Sequence, residues 1–514
     1  MKKLMTLILA VSMVVGITGT AMAANTVELD SASNRSLRVY WGPVFGTDTS
    51  GASAYVATGA ITADSPFTGV SLYAISNDKT NTAGTEMLAQ ELSGGNWWVS
   101  GTTPIGGPQL ISGTTTTVIL YVASKTGVGN TANSGNTLYA INGGTGATIF
   151  ETGLPANNWL AIGNSTISVF DGANTGASPY SIAPVTIDAE SISTAGATIY
   201  GITSASTFGI AGNAGAGVSI WAINAQTGAI AVNGTTTFAT GGGSGVSVIH
   251  TAPVISGNSI FVVGYSSQGG GGNTLYQLNK LNLFNGVATS ALVNLDADLS
   301  DQWVPTPAVS GNSIFVVDNN GAVTAFSTAN LTPYYSVDYA AATDSGVTAG
   351  PVTDGTYILL SSTSSVSCYT LNKLSTNVPE WTYNFGPNTI YTIDATPAIS
   401  NGYVWITVNN QPLGTSAAYR FTLNSTETDG DIQSVATGTL TYASPIVVGG
   451  NVWNVSYNPS VQKTLANGAA GYNYWPQFKF DAAKTGHNTQ VVDDDDVTPE
   501  PDDDDSGCFI STIK

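Results

Sequence analysis

The sequence predicts an all-β protein, a β-propeller of four-stranded blades. Three observations predict it. Between residues 36 and 490, short runs rich in Val, Ile, Tyr and Thr alternate with polar residues, the period of strands. Clusters of Gly, Asn and Ser punctuate these runs, and no stretch has the period of an amphipathic helix. The third observation is an internal repeat, which selects a propeller over a sandwich or an open barrel.

Each repeat opens on a Pro, an aliphatic residue and a Gly-bearing turn that leads into a second β run. The copies are Pro253-Val-Ile-Ser-Gly-Asn-Ser-Ile-Phe-Val-Val, Pro307-Ala-Val-Ser-Gly-Asn-Ser-Ile-Phe-Val-Val and Pro351-Val-Thr-Asp-Gly-Thr-Tyr-Ile. Pro397-Ala-Ile-Ser-Asn-Gly-Tyr-Val-Trp and Pro445-Ile-Val-Val-Gly-Gly-Asn-Val-Trp follow, and looser copies start at Pro43, Pro108 and Pro184. Successive anchors lie 65, 76, 69, 54, 44, 46 and 48 residues apart. The last three spacings match a four-stranded blade, and the longer early ones imply loop insertions. Eight anchors predict eight blades, with seven as the alternative, and the two chain ends should share a blade that closes the ring.

A second element follows within each unit. It reads SLYAISN at 71–77, TLYAINGGTGATIF at 137–150, SIWAINAQTGAI at 219–230, TLYQLN at 274–279 and AVTAFS at 322–327. Gly146 and Gly228 supply the positive φ that a tight Thr-Gly hairpin turn needs.

Here the sequence resembles a known family. Leu138-Tyr139-Ala140-Ile141-Asn142 with Thr145-Gly146, and Ile220-Trp221-Ala222-Ile223-Asn224 with Thr227-Gly228, are similar to the repeat of pyrroloquinoline-quinone-like β-propellers. Trp475-Pro476-Gln477-Phe478-Lys479-Phe480-Asp481 through Thr485-Gly486 resembles the terminal segment of such proteins. Trp475, Phe478, Asp481 and Gly486 are therefore expected at the ring closure. Trp221, Trp303, Trp381, Trp405 and Trp453 fall on or beside strands and read as packing between blades, whereas one of Trp97 and Trp98 should face outward.

The ends lie outside the repeats. Residues 1–23 carry Lys2 and Lys3, an apolar run from Leu4 to Ile17, and Ala21-Met22-Ala23, the pattern of a secretory signal cleaved before Ala24. Residues 24–490 form the propeller. Residues 491–505 are an acidic, Pro-bearing linker that self-repels and stays extended. Residues 506–514 carry Cys508 in Gly507-Cys508-Phe509-Ile510, which resembles the start of bacterial C-terminal domains named for a Cys-Phe-Ile box. Pro499-Glu500-Pro501 is similar to Pro-Glu-Pro sorting signals, though the hydrophobic span and basic tail of those signals are missing. Cys508 is the attachment candidate. Cys368 reads as a small buried hydrophobe, so no disulfide framework is expected.

Charge excludes some functions. Lys and Arg number 13 against 33 Asp and Glu, a net charge of −20, with only 9% of residues charged and 42% hydrophobic. So few cations do not suit the phosphates of nucleic acid, and no transmembrane span is expected in the mature chain. Nine of the acids belong to the linker, and the propeller body is left at about −14.

The family resemblance raises a quinoprotein dehydrogenase, which binds its quinone with Ca²⁺ through Glu, Asn and Asp ligands. No such set can be matched position by position, no adjacent cysteines occur, and Lys280 is the only charged residue between Ser191 and Leu295. The quinone is therefore not expected. His250 and His487 read as structural. Asp296, Asp298, Asp301 and Asp318 offer hard oxygen ligands for Ca²⁺, although turn chemistry alone explains Asp318-Asn319-Asn320-Gly321. The function expected is therefore a non-catalytic, exported bacterial propeller. It would bind or scaffold a protein or glycan at the cell envelope or surface. A periplasmic scaffold in outer-membrane assembly is the alternative from the same resemblance.

Overall fold

The computed structural model describes strands between Asn25 and Asn488, with continuous stretches at 305–318, 320–340, 349–400 and 402–424. Side-chain surroundings are described mainly within 305–424 and in parts of 439–463. Among the described residues the fold is all-β, and the one helical element is a 3₁₀ turn at Leu374–Thr376.

The strands among the described residues form eight sheets built almost wholly from antiparallel pairs of consecutive strands. The fifth shows the plan. Ala308–Ser310, Ser313–Val317, Ala322–Ser327 and Pro333–Asp338 pair in that order. The sixth repeats it with Val352–Thr353, Tyr357–Ser361, Ser365–Thr370 and Trp381–Asn384. The seventh has Ala398–Ser400, Tyr403–Asn410, Thr415–Thr422 and Gln433–Ala436, and Tyr391–Thr392 extends its first strand. The eighth has Ile446–Val448, Asn451–Ser456 and Ser460–Leu465, and its fourth strand is Asn25–Glu28 from the other end of the chain.

The Pro anchors mark where each inner strand begins. Strands start one residue after Pro43, Pro108, Pro253, Pro307, Pro351, Pro397 and Pro445, and two after Pro184. Proline lacks a donor N–H and is tolerated at a strand's start rather than within it. The inner strands also neighbour one another in chain order: Val254–Ser256 lies by Ala308–Ser310, then Val352–Thr353, Ala398–Ser400 and Ile446–Val448. Adjacent sheets are joined there by polar bonds, since Gly350 N donates to Thr396 Oγ1 at 2.9 Å. This side-by-side array of sheets is of the β-propeller kind.

Packing explains why the second strand of each sheet is an unbroken apolar run. In Ser313–Val317, Ile314 and Val316 pack with Val254, Phe261, Val263 and Leu278 of the sheet before. Phe315 and Val317 point the other way and pack with Ile358, Leu360 and Tyr369 of the sheet after. Both faces are buried, so alternation gives way to continuous hydrophobics. The outer strand Pro333–Asp338 is exposed except for Val337 and, partly, Tyr335.

The sixth and seventh sheets meet through a large core that includes Val366, Cys368, Trp381, Val404, Ile406, Val408 and Phe421. Trp381 stacks on Phe421 with centroids 5.5 Å apart, and Phe385 meets Tyr383 and Tyr419, each at 4.9 Å. Such pairs add about 0.5–1.5 kcal/mol each beyond area burial. Trp381 Nε1 donates to Leu423 O at 3.0 Å, and the Cys368 thiol points at the same carbonyl. Cys368 is fully buried, as its alternating surroundings predict, and burial pushes its thiol far above the usual range. Among the described residues no helix is long and apolar enough to cross a membrane.

Candidate functional site

The best-defined cluster of polar side chains stands where the chain passes from the sixth sheet into the seventh. Residues 385–394 form a connection held from both sides. Phe385 N donates to Ser364 O at 3.0 Å and Ile393 N to Thr363 O at 2.7 Å, tying it to the turn in the middle of the sixth sheet. Gln411 N donates to Ile390 O at 2.9 Å, tying it to the matching turn of the seventh. Internally, Ile390 N and Tyr391 N both donate to Pro387 O, and Gly386 N donates to Asn384 Oδ1 at 2.7 Å. A connection with five backbone donors bonded in this way is a rigid platform.

Asp394 is the centre of the side-chain network. Its Oδ2 accepts from Thr392 Oγ1 at 2.7 Å, Asn409 Nδ2 at 2.7 Å and Gln411 Nε2 at 3.5 Å. Asn409 extends the network, donating to Thr441 O at 2.9 Å and accepting from Thr441 N at 2.8 Å. Ser416 then joins Thr441 Oγ1 and donates to Thr439 O. Burial pushes the Asp394 carboxyl above its usual range, while the bonds from Thr392 and Asn409 pull it back. All of these bonds go to Oδ2, and none goes to Oδ1. Beside the network, the turn after Tyr403–Asn410 presents Leu413, which is 72% exposed. Chemically, Asp394 is a fixed internal acceptor that ties the connection to the seventh sheet, and Leu413 is an exposed apolar side chain on the turn that the connection bonds.

Asp318 lies at the equivalent turn of the fifth sheet. Its Oδ1 accepts Asn320 N at 2.9 Å and Ala322 N at 2.8 Å. Burial raises its carboxyl, with those backbone bonds opposing. This is the turn chemistry that Asp-Asn-Asn-Gly suggests, and Gly321 completes it at φ +88°, where a Cβ would collide with Ala340. Gly228 has φ +72° at its Thr-Gly turn. Asp296, Asp298, Asp301, Gly146, Trp475, Phe478, Asp481, Gly486 and Cys508 lie outside the described residues. Among the described residues, no group of three or more His, Cys, Asp or Glu stands close enough to hold a metal ion.

Sequence reasoning did not single out Asp394. Thr392-Ile393-Asp394-Ala395 reads as an ordinary connection, and its partners Asn409 and Thr441 are 15 and 32 positions removed from Asp394 and Asn409 respectively. Only the pairing of Tyr391–Thr392 with Asn409–Asn410 brings them together.

No family model matches the chain, and no curated protein matches it. Solved structures do resemble it. BamB from Moraxella catarrhalis aligns with a TM-score of 0.47 at 12% identity, over 87% of this chain and 99% of that one. The computationally designed Ika8 protein aligns with a TM-score of 0.49 at 12% identity, over 86% and 100%. Saccharomyces cerevisiae Sqt1 aligns with a TM-score of 0.50 at 10% identity, over 87% and 99%. The Sqt1 likeness is one of fold alone.

Proposed function

We propose that this protein is an exported, non-catalytic propeller that binds or scaffolds a partner at the bacterial cell envelope. In this reading the eight sheets are eight blades around one axis, and Asn25–Glu28 closes the ring. Residues 1–23 are its secretory signal and 491–514 a tail that tethers it. The observation that carries the binding role is the platform at 385–394, fixed by main-chain bonds to two sheets, one of them to the turn that carries the exposed Leu413. Rigid loops on a rigid scaffold suit recognition, because little ordering entropy is lost on binding. The partner class is a protein or glycan.

Cell fractionation with protease shaving tests the address. The propeller body should leave the cytoplasm, and shaving of intact cells should remove it if it stands on the surface. Retention in the cytoplasm contradicts export, and protection from external protease places the protein in the periplasm. Calcium at Asp296, Asp298 and Asp301 is a separate proposal, supported by their hard oxygen ligands. A melting temperature lowered by chelator supports it, and an unchanged one removes it.

A further inference from the structure

We infer that the ring opens at one seam, between the seventh and eighth sheets, with Asn25–Glu28 as its latch. The inference rests on the closed-ring reading above.

The first observation is the chemistry of the seam. Trp405 packs with Ala398, Val447 and Val452, a cluster of four buried hydrophobics among the described residues. Side chains alternate along a strand, so Thr407 shares the face of Trp405, and Asn454 shares that of Val452. Gln462 is the register partner of Asn454 and faces the same way. These polar side chains are at least nine-tenths buried: Trp405 and Thr407 are each 1% exposed, Asn454 2% and Gln462 8%. Among the described residues, Trp405 Nε1, Thr407 Oγ1, both amide atoms of Asn454 and Gln462 Oε1 meet no hydrogen-bonding partner. Arg420, paired with Trp405, is buried on the same face with its guanidinium 4.7 Å from the Tyr403 ring centroid.

The contrast with the neighbouring seams is direct. The clusters on either side of the sixth sheet hold more buried hydrophobics, and the buried Thr353, Ser362 and Ser367 there have hydrogen-bonding partners. Among the described residues of 305–400, Ser361 Oγ is the one buried side-chain atom without a partner. Opening the last seam therefore lets water reach five polar atoms that have no partner among the described residues. The described seams beside the sixth sheet offer no comparable set of unpartnered atoms to offset the apolar surface that opening them exposes.

The second observation is how the eighth sheet is held. Its fourth strand has four residues, paired from Asn25↔Lys463 to Glu28↔Ser460. That strand is joined to its partner only through the whole length of the propeller, so it can leave without breaking the other strands of its sheet. Val461 opposite Val27 is fully buried, which makes the strand a latch rather than a loose end.

Native-state hydrogen exchange on the full mature chain tests the inference, with 313–327 of the fifth sheet as the reference. Amides in 451–465 should exchange at least tenfold faster than the reference. Asn454→Leu with Gln462→Leu should slow 451–465 severalfold, because the seam then closes on apolar groups, and Asn454→Leu alone should act in the same direction. Of Thr26→Pro and Val27→Pro, one removes a ladder donor from the latch, because alternate N–H groups of an edge strand face its single neighbour; at least one of the two should speed 451–465 tenfold without changing the reference. Equal rates in the wild type, or Leu variants that speed exchange or leave it unchanged, would overturn the seam. Amides of Asn25–Glu28 that are unprotected in the wild type would instead overturn the ring pairing itself.

Discussion

Asp394 shows what a single residue does here. Three donors converge on one carboxylate oxygen, and burial works against the charge they support. The folded carboxyl therefore titrates above its unfolded value, with burial the larger effect. The sign follows: the group favours the fold most when protonated, below the ordinary carboxylate range near pH 4, and that contribution is lost as pH rises through the higher folded value. Melting of the wild type and Asp394→Asn at pH 7 and pH 3 should show the wild type gaining on the variant as pH falls. A difference that does not change with pH contradicts this. Asp318 holds its turn through two backbone N–H groups, so Asp318→Ala should cost about 1–3 kcal/mol in a urea titration. Asp318→Asn should cost less, because an amide oxygen can accept the same bonds. Cys368 should resist thiol reagents in the native Cys508→Ser protein and react once it is unfolded.

At the scale of elements, the repeats were legible because proline and glycine have few conformational options. A Pro cannot donate within a ladder, so Pro307, Pro351, Pro397 and Pro445 mark strand starts even where the rest of the unit diverges. Gly321 sits at φ +88° against Ala340, so Gly321→Ala should destabilise by more than about 1 kcal/mol. The short closing strand Asn25-Thr26-Val27-Glu28 was not legible as a strand, because four residues carry too little periodicity. That the chain ends share a blade was expected from topology, with the Trp475 segment as the marker, and that segment lies outside the described residues. The Asp394 network was illegible for a different reason: its members come from three separated stretches, and no local spacing records their meeting. Between sheets, the Trp381 indole holds Leu423 O at the seam of the sixth and seventh sheets. Trp381→Phe should keep most of the packing, leave that carbonyl only the weak Cys368 thiol as donor and lower stability by about 1 kcal/mol, read by denaturant midpoint.

For the whole molecule, the scarcity of charge follows from the architecture. Strands buried on both faces leave little surface for Lys, Arg, Asp or Glu, and the connections carry Ser, Thr, Asn and Gly instead. Among the described residues, one ion pair is formed, Lys373 with Glu380 at 2.8 Å on the surface. Such a pair contributes little in water, so salt should change the melting temperature only slightly. The stability of such an array of sheets rests on its apolar seams and, in the proposed closed ring, on its closure.

Closure is the central claim, and disulfide trapping tests it most directly. Thr26 faces Gln462 and Val27 faces Val461. In an antiparallel ladder one of two consecutive pairs is the closer, non-hydrogen-bonded kind, with Cα atoms about 4.5 Å apart, a spacing that accepts a disulfide. Cysteine pairs are placed at each site in a Cys508→Ser background and oxidised mildly. At least one pair should lock into a circle, which unreduced gels show as faster migration, and the locked protein should melt at a higher temperature. If neither pair forms a disulfide in the native protein, the N-terminal strand does not lie beside Ser460–Leu465, and the closed ring is contradicted.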